Sequence, residues 1–203
     1  MISVYQIKPS FQAWLRPTVA RLAAAGVTAN GVTLAAMGIS CLLGALLALA
    51  GEPRLFLLLP VWMFLRMALN AVDGMLAREF GQKSPLGAYL NELADVVSDA
   101  ALYLPFVAVA PFGWASVGAV TFLSALSEMA GALGPAVGAG RRYDGPLGKS
   151  DRAVLFGALG LWLGLAGSLP AWSFWILPLA AAGIGLNTVN RVRGGLAEIS
   201  PNP

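Results

Sequence analysis

The chain has 203 residues, of which 58% are hydrophobic and 11% charged, and a soluble domain carries roughly twice that charged fraction. With a mean hydropathy of +0.73 and several stretches of about 20 apolar residues, each long enough to cross a bilayer, the composition is that of a polytopic membrane protein. There is no histidine, which excludes His-ligated zinc, Ser-His triads and imidazole proton relays, and the lone Cys41 excludes an internal disulfide.

The predicted elements follow in chain order. Residues 1–26 read as an amphipathic interfacial helix, with Ile7, Phe11, Trp14, Leu15 and Val19 at helical spacing beside Lys8, Arg16 and Arg21. No small-residue cleavage site follows an apolar core, so no cleavable signal is expected. Val27-Thr28-Ala29-Asn30 looks like a helix start with Asn30 as N-cap and Thr33 in the first turn. Six spans are expected within a transmembrane domain covering 27–193: about 31–50, 55–79, 87–110, from 114 to about 140, 151–168 and 171–192. A polar tail of 194–203 follows. The fold class is all-α, with six transmembrane helices and an N-terminal interfacial helix. Trp62, Trp114, Trp172 and Trp175 fall near span ends as interfacial anchors.

Basic residues are one-sided. Lys8, Arg16, Arg21, Arg78, Lys83, Arg141, Arg142, Lys149, Arg152, Arg191 and Arg193 fall on one side of the predicted topology and Arg54 alone on the other. By the positive-inside rule both termini and the stretch from Asn70 to Asp99 face the cytoplasm. The net charge of +3 suits anionic lipid headgroups and gives nucleic acid no role.

That stretch holds five of the ten acidic residues. On a helix Arg66, Asn70, Asp73 and Ala77 share one face, and Asn91, Asp95 and Asp99 share a face of the next span. A short loop joins the two, so antiparallel packing would bring Asp73 and Asp95 together. Like charges in low dielectric need a cation between them, and hard oxygen donors suit Mg²⁺ or Mn²⁺ with substrate phosphates. Arg78, Arg141, Arg142, Lys149 and Arg152 on the same side suit a phosphate-bearing ligand. The alternative is that the carboxylates pair with Arg66 and Arg78 and lock helices together. Glu128 is either a packing partner or a wall of the site, Asn187 and Asn190 read as helix–helix glue, and small residues from Ala130 to Gly138 permit close approach, in packing or at a dimer interface.

These residues carry a resemblance. The pattern Asp-x2-Asp-Gly-x2-Ala-Arg-x8-Gly-x3-Asp-x3-Asp belongs to the CDP-alcohol phosphotransferases; Asp73, Gly74, Ala77, Arg78, Gly87 and Asp95 match it in residue and spacing, while Asn70 and Asn91 stand at its first and third Asp positions. The chain most resembles a bacterial inner-membrane branch of that family, and a homodimer is expected. The resemblance implies transfer of a substituted phosphate from a CDP-linked lipid, such as CDP-diacylglycerol, to a small alcohol with release of CMP. It implies Asp73 as metal ligand and Asp95 as general base or ligand. Gly74, Ala77 and Gly87 would lie against the cytidine, with Arg78, Asn30 and Thr33 near the nucleotide. Lys149 and Arg152, with Arg141 and Arg142, would bind the acceptor. Asn70 and Asn91 can still offer oxygen to Mg²⁺ or Mn²⁺ but remove about two negative charges, and Asp99 or Glu92 is expected to restore part of that charge. A catalytically impaired, nucleotide-lipid-binding scaffold is the alternative function. An ion or solute transporter would need acids through the full membrane depth, and here they cluster near one face.

Overall fold

The computed structural model describes residues 4–200, with side chains from residue 11 onward, so the side chains of Ile7 and Lys8 and the end of the tail lie outside the described residues. Every regular element among the described residues is helical: α1 (Val4–Ala24), α2 (Ala29–Ala50), α3 (Leu58–Glu79), α4 (Pro85–Tyr103), α5 (Trp114–Ala132), α6 (Lys149–Ala166) and α7 (Ile176–Ile199), with short 3-10 turns before α3 and α7 and after α4 and α5. Local chemistry sets several starts. Thr28 is the N-cap of α2, its hydroxyl accepting from the Gly31 amide at 3.1 Å, so the cap lies two residues before Asn30. Ser84 caps α4 in the same way, with Pro85 in the first turn, where a missing N–H costs nothing.

Among the described residues, four helical segments are long and apolar enough to cross a membrane: Ala29–Ala50, Pro53–Glu79, Trp114–Ala132 and Ala171–Ile199. The sequence led to an expectation of six. The two others, α4 and α6, are 19 and 18 residues long, but α4 carries Glu92, Asp95 and Asp99 and α6 carries Lys149, Asp151 and Arg152. The charge that lowers their hydropathy is the charge of the candidate site. α7 also runs on to Ile199, so the expected tail from 194 begins as helix.

Packing departs from the expected hairpin. α3 and α4 are consecutive yet are not among the closely packed pairs; α2 lies along both, α3 packs on α6, and α5 packs on α7. At Gly44 of α2 a Cβ would collide with the backbone carbonyl of Ala101 on α4, so the glycine permits the close approach that puts α2 where α3 was expected. An aromatic knot holds the middle: Tyr103 stacks on Phe156 at 3.8 Å, and Phe106 meets Phe56, Phe112 and Phe156 edge-on. Such edge-on and offset contacts add about 0.5–1.5 kcal/mol each beyond area burial. Trp62, expected at the interface, is buried and donates from Nε1 to Ser40 Oγ at 2.9 Å, whereas Trp114, Trp172 and Trp175 are exposed. α1 buries Leu15 and Val19 against Val32, Val72, Met75 and Leu76, and Arg16 binds Glu79 at the end of α3.

Candidate active site

The starts of α2, α4 and α6 and the ends of α3, α5 and α7 lie at one end of the bundle. Three helix N-termini there favour negative charge. On the α2–α3 side, Asp73 is 4% exposed and accepts from Thr33 Oγ1 at 2.8 Å. It is close enough to feel the charges of Lys149 and Asp95, yet among the described residues it forms no ion pair, unlike the other buried acids, Asp95, Asp99 and Glu128. Arg78 is exposed, and its guanidinium folds back over Gly74, where a Cβ would stand 2.8 Å from it. Across from them a Cβ on Gly87 would stand 2.8 Å from Asn30 Oδ1 and 3.0 Å from Ser84 Oγ. The start of α2 thus faces the start of α4 with no room for a side chain, and Asn30 lines that gap instead of capping the helix. Ala77, Asn70 and Asn91 are half-buried.

Between α3 and α4 the space is spanned by side chains. Arg66 reaches Asp99 Oδ1 at 2.5 Å and Asp95 Oδ1 at 3.5 Å, and donates to the Asp95 carbonyl at 3.2 Å. Lys149, the first residue of α6, places Nζ 2.5 Å from Asp95 Oδ2. The alternative in which arginines lock the carboxylates therefore holds for Arg66 with Asp95 and Asp99, while Arg78 takes no part in it.

The α5–α7 side is a network of paired charge. Arg152, fully buried, binds Glu128 at 2.8 Å and Asp99 at 3.5 Å and donates to the Leu147 carbonyl. Arg191, 2% exposed, donates to the Ser127 carbonyl at 2.6 Å and meets Glu128 at 3.4 Å. Arg141 bridges Glu92 and Glu128. Glu128 is thus the partner of three arginines. Asp99 and Glu92, expected to add charge for a metal, face cations of the protein itself. Arg142 stands apart, clasped by Asp144 at 2.7 Å and Glu198 at 2.7 Å, and the hydrogen bond from Arg142 holds the Asp144 carboxyl below its ordinary range. Arg141, Arg142, Tyr143 and Asp144 line a shallow concavity of about 310 Å³.

The small residues near 130–138 serve this loop. A Cβ on Gly131 would stand 2.7 Å from the Arg142 carbonyl, and the Arg142 amide donates to the Gly131 carbonyl at 3.2 Å. Asn187 accepts from Ser127 at 2.6 Å, tying α7 to α5 as expected, while Asn190 is exposed. Sequence reasoning missed Arg191, counted there only as basic charge, and Gln82. The Gln82 side chain accepts from the Ala29 amide at 2.7 Å and donates to the Val27 carbonyl at 3.2 Å.

Residues 26–186 match the model of the CDP-alcohol phosphatidyltransferase family. The chain belongs to this family. The chain is 47% identical, over 96% of its length and 97% of the relative's, to inner membrane protein YnbA of Escherichia coli. Its fold is that of Mycobacterium tuberculosis phosphatidylinositol phosphate synthase (PgsA1), whose crystal structure in complex with manganese and citrate superposes with a TM-score of 0.71 over 92% of each chain at 19% identity. The family places the chain among phospholipid-synthesis transferases, and the relative places it in the bacterial inner membrane.

For a divalent cation, the donor chemistry fits at Asp73: a buried carboxylate with a hydroxyl partner and no ion pair among the described residues, and Asn70 about one turn away on the same face. Among the described residues no three acidic side chains gather as one metal-holding group.

Proposed function

We propose that this chain transfers a phosphatidyl group from CDP-diacylglycerol to a small alcohol and releases CMP at the cytoplasmic face of the inner membrane. The observation that carries the reading is the buried Asp73 carboxylate, bonded to Thr33 and without an ion pair among the described residues, at the end of the bundle that also holds Gly74, Ala77, Arg78, Gly87, Asp95 and Asn30. The absence of side chains at Gly74 and Gly87 would let the cytidine approach the backbone once Arg78 swings from Gly74 onto phosphate and Asn30 gives way at the start of α2, with Ala77 on the same face as Asp73. The Asp73 carboxylate and the Asn70 amide would hold Mg²⁺ or Mn²⁺, with Asn91 on the facing helix. When bound, the ion supplies positive charge to the diphosphate.

Asp95 takes the proton of the acceptor hydroxyl. The hydroxyl oxygen forms a bond to the β-phosphorus, the bond from that phosphorus to the CMP oxygen breaks, and CMP leaves with the electron pair. A positioned base of this kind contributes typically about 10²–10⁴-fold. Lys149 and Arg66 fix the Asp95 carboxylate, and Arg152, Arg141 and Arg191 form the wall behind it, where the acceptor would sit. α4 and α6 complete a six-span bundle, because their charges face one another inside it, and α1 lies along the cytoplasmic surface.

The test is CMP release from CDP-diacylglycerol by the purified chain in lipid nanodiscs, with Mg²⁺ or Mn²⁺ and a panel of small alcohols. Release that depends on one of the alcohols and disappears in Asp95→Asn supports the transferase. Nucleotide-lipid binding without release for any alcohol would favour the scaffold, a reading for which Asn70 and Asn91 are the specific observation.

A further inference from the structure

We propose that Lys149 is a resident counter-cation for Asp95 and that it limits this site to one divalent ion, held at Asp73. The four acids buried near the site are met in different ways. Asp99 has Arg66 and Arg152, Glu128 has Arg141, Arg152 and Arg191, and Asp95 has Lys149 at 2.5 Å with Arg66 at its other oxygen. Asp73 has the Thr33 hydroxyl and, among the described residues, no ion pair. A carboxylate withdrawn from water without a paired cation is costly, so Asp73, which is not in an ion pair with the lysine near it, is the position where an added cation gains most.

Asp95 is the reverse. An ion arriving there would have to displace the Lys149 ammonium or sit beside it, like charge against like charge in a medium that screens poorly. The fixed pattern of the sequence points the same way. Two positions that carry carboxylates in the family pattern are Asn70 and Asn91, one on each of the facing helices, so the donor set has lost charge while α6 delivers a cation to it. Asn70 and Asn91 still offer neutral oxygens, which suit a single hard ion and do not balance a second. The lysine belongs to the first turn of α6, whose start is fixed by Asp151 Oδ2 accepting from the Gly148 amide at 3.1 Å. The fold therefore fixes where this side chain begins, and the ion pair with Asp95 holds its half-buried ammonium.

This inference rests on the transferase reading only for the location of the ion, and its test reads ion number directly. The full chain in nanodiscs is titrated with Mn²⁺, free Mn²⁺ being followed by its electron paramagnetic resonance signal. One bound Mn²⁺ per chain is expected, lost in Asp73→Asn, and a second should be gained when Asn70→Asp and Asn91→Asp are combined with Lys149→Met. Two ions on the unaltered chain, none at all, or retention of the ion in Asp73→Asn would overturn the proposal. So would a folded triple variant that still binds one; if that variant does not fold, the ion count of the unaltered chain and of Asp73→Asn decides. CMP release measured on the same samples separates the two ideas: one ion without turnover sinks the transfer reaction and leaves the ion count standing, and turnover with two ions does the opposite.

Discussion

Where α2, α3 and the start of α4 meet, the buried Asp73 has a hydroxyl partner and no ion pair among the described residues, and Arg78 rests on a glycine; where α5, α6 and α7 meet, Arg152 and Arg191 are both buried and both paired to acids. The first region carries charge that forms no ion pair among the described residues, which under the proposed function is where a charged ligand would bind. The second carries charge that is already matched and acts as a rigid wall. The same residue types, within one end of one bundle, are thus either unpaired or locked into ion pairs among the described residues, and what separates them is whether a neighbouring helix delivers the opposite charge.

Substitutions should therefore act oppositely in the two regions. The largest effect is expected from Asp95→Asn, at their junction, with CMP release falling at least about 100-fold, the lower end for loss of a positioned base, while the melting temperature shows whether the fold persists. In the paired region, Glu128→Ala strands three arginines and should destabilise the chain by about 3–5 kcal/mol, the usual cost of breaking a buried pair, read by thermal unfolding in detergent. In the open region, Asp73→Asn removes an unmatched charge. It should leave the ligand-free melting temperature unchanged or higher while abolishing the stabilisation that Mn²⁺ or CDP gives the parent chain. If Glu128→Ala were silent and Asp73→Asn unfolded the protein, the distinction would collapse.

A smaller effect belongs to the Arg142 clasp. The folded-state value of Asp144 is lowered, first by its hydrogen bond from Arg142, so its contribution is present above the unfolded carboxylate value of about 3.9 and is lost as pH falls through the lower folded value. Acid unfolding of Asp144→Asn compared with the parent chain should show a slightly weaker pH dependence in that window, and no difference near neutrality beyond the lost surface pair.

Much of the placement of the candidate residues was legible because it is local. Asp73, Gly74, Ala77 and Arg78 are fixed by spacing along one helix, Gly87 and Asp95 along the next, and the pairing of Arg66 with a carboxylate follows from an arginine buried one turn from Asn70. What was not legible depends on which helix lies beside which. The sequence alone suggested that α3 would pack on α4, and the intrusion of α2, permitted by Gly44, is a tertiary fact without a local signal. The same holds for Trp62, whose indole found Ser40 on α2, and for Arg191, whose place under Glu128 depends on the packing of α7 on α5. The cap at Thr28 was within reach of local rules: threonine and asparagine both cap helices, and the chain used the one that left Asn30 free for the gap opposite Gly87.

Gln82 ties the loop after α3 to the first turn of α2 through two backbone groups. The starts of α2 and α4 are thereby sewn into a single collar, with residues 80–84 as its seam. Any shift of the first turn of α2 would pull on this seam through the two Gln82 bonds, so a nucleotide bound there would tighten the loop with it. Its signature would be slowed amide exchange across 80–84 on nucleotide binding, at positions the ligand never touches.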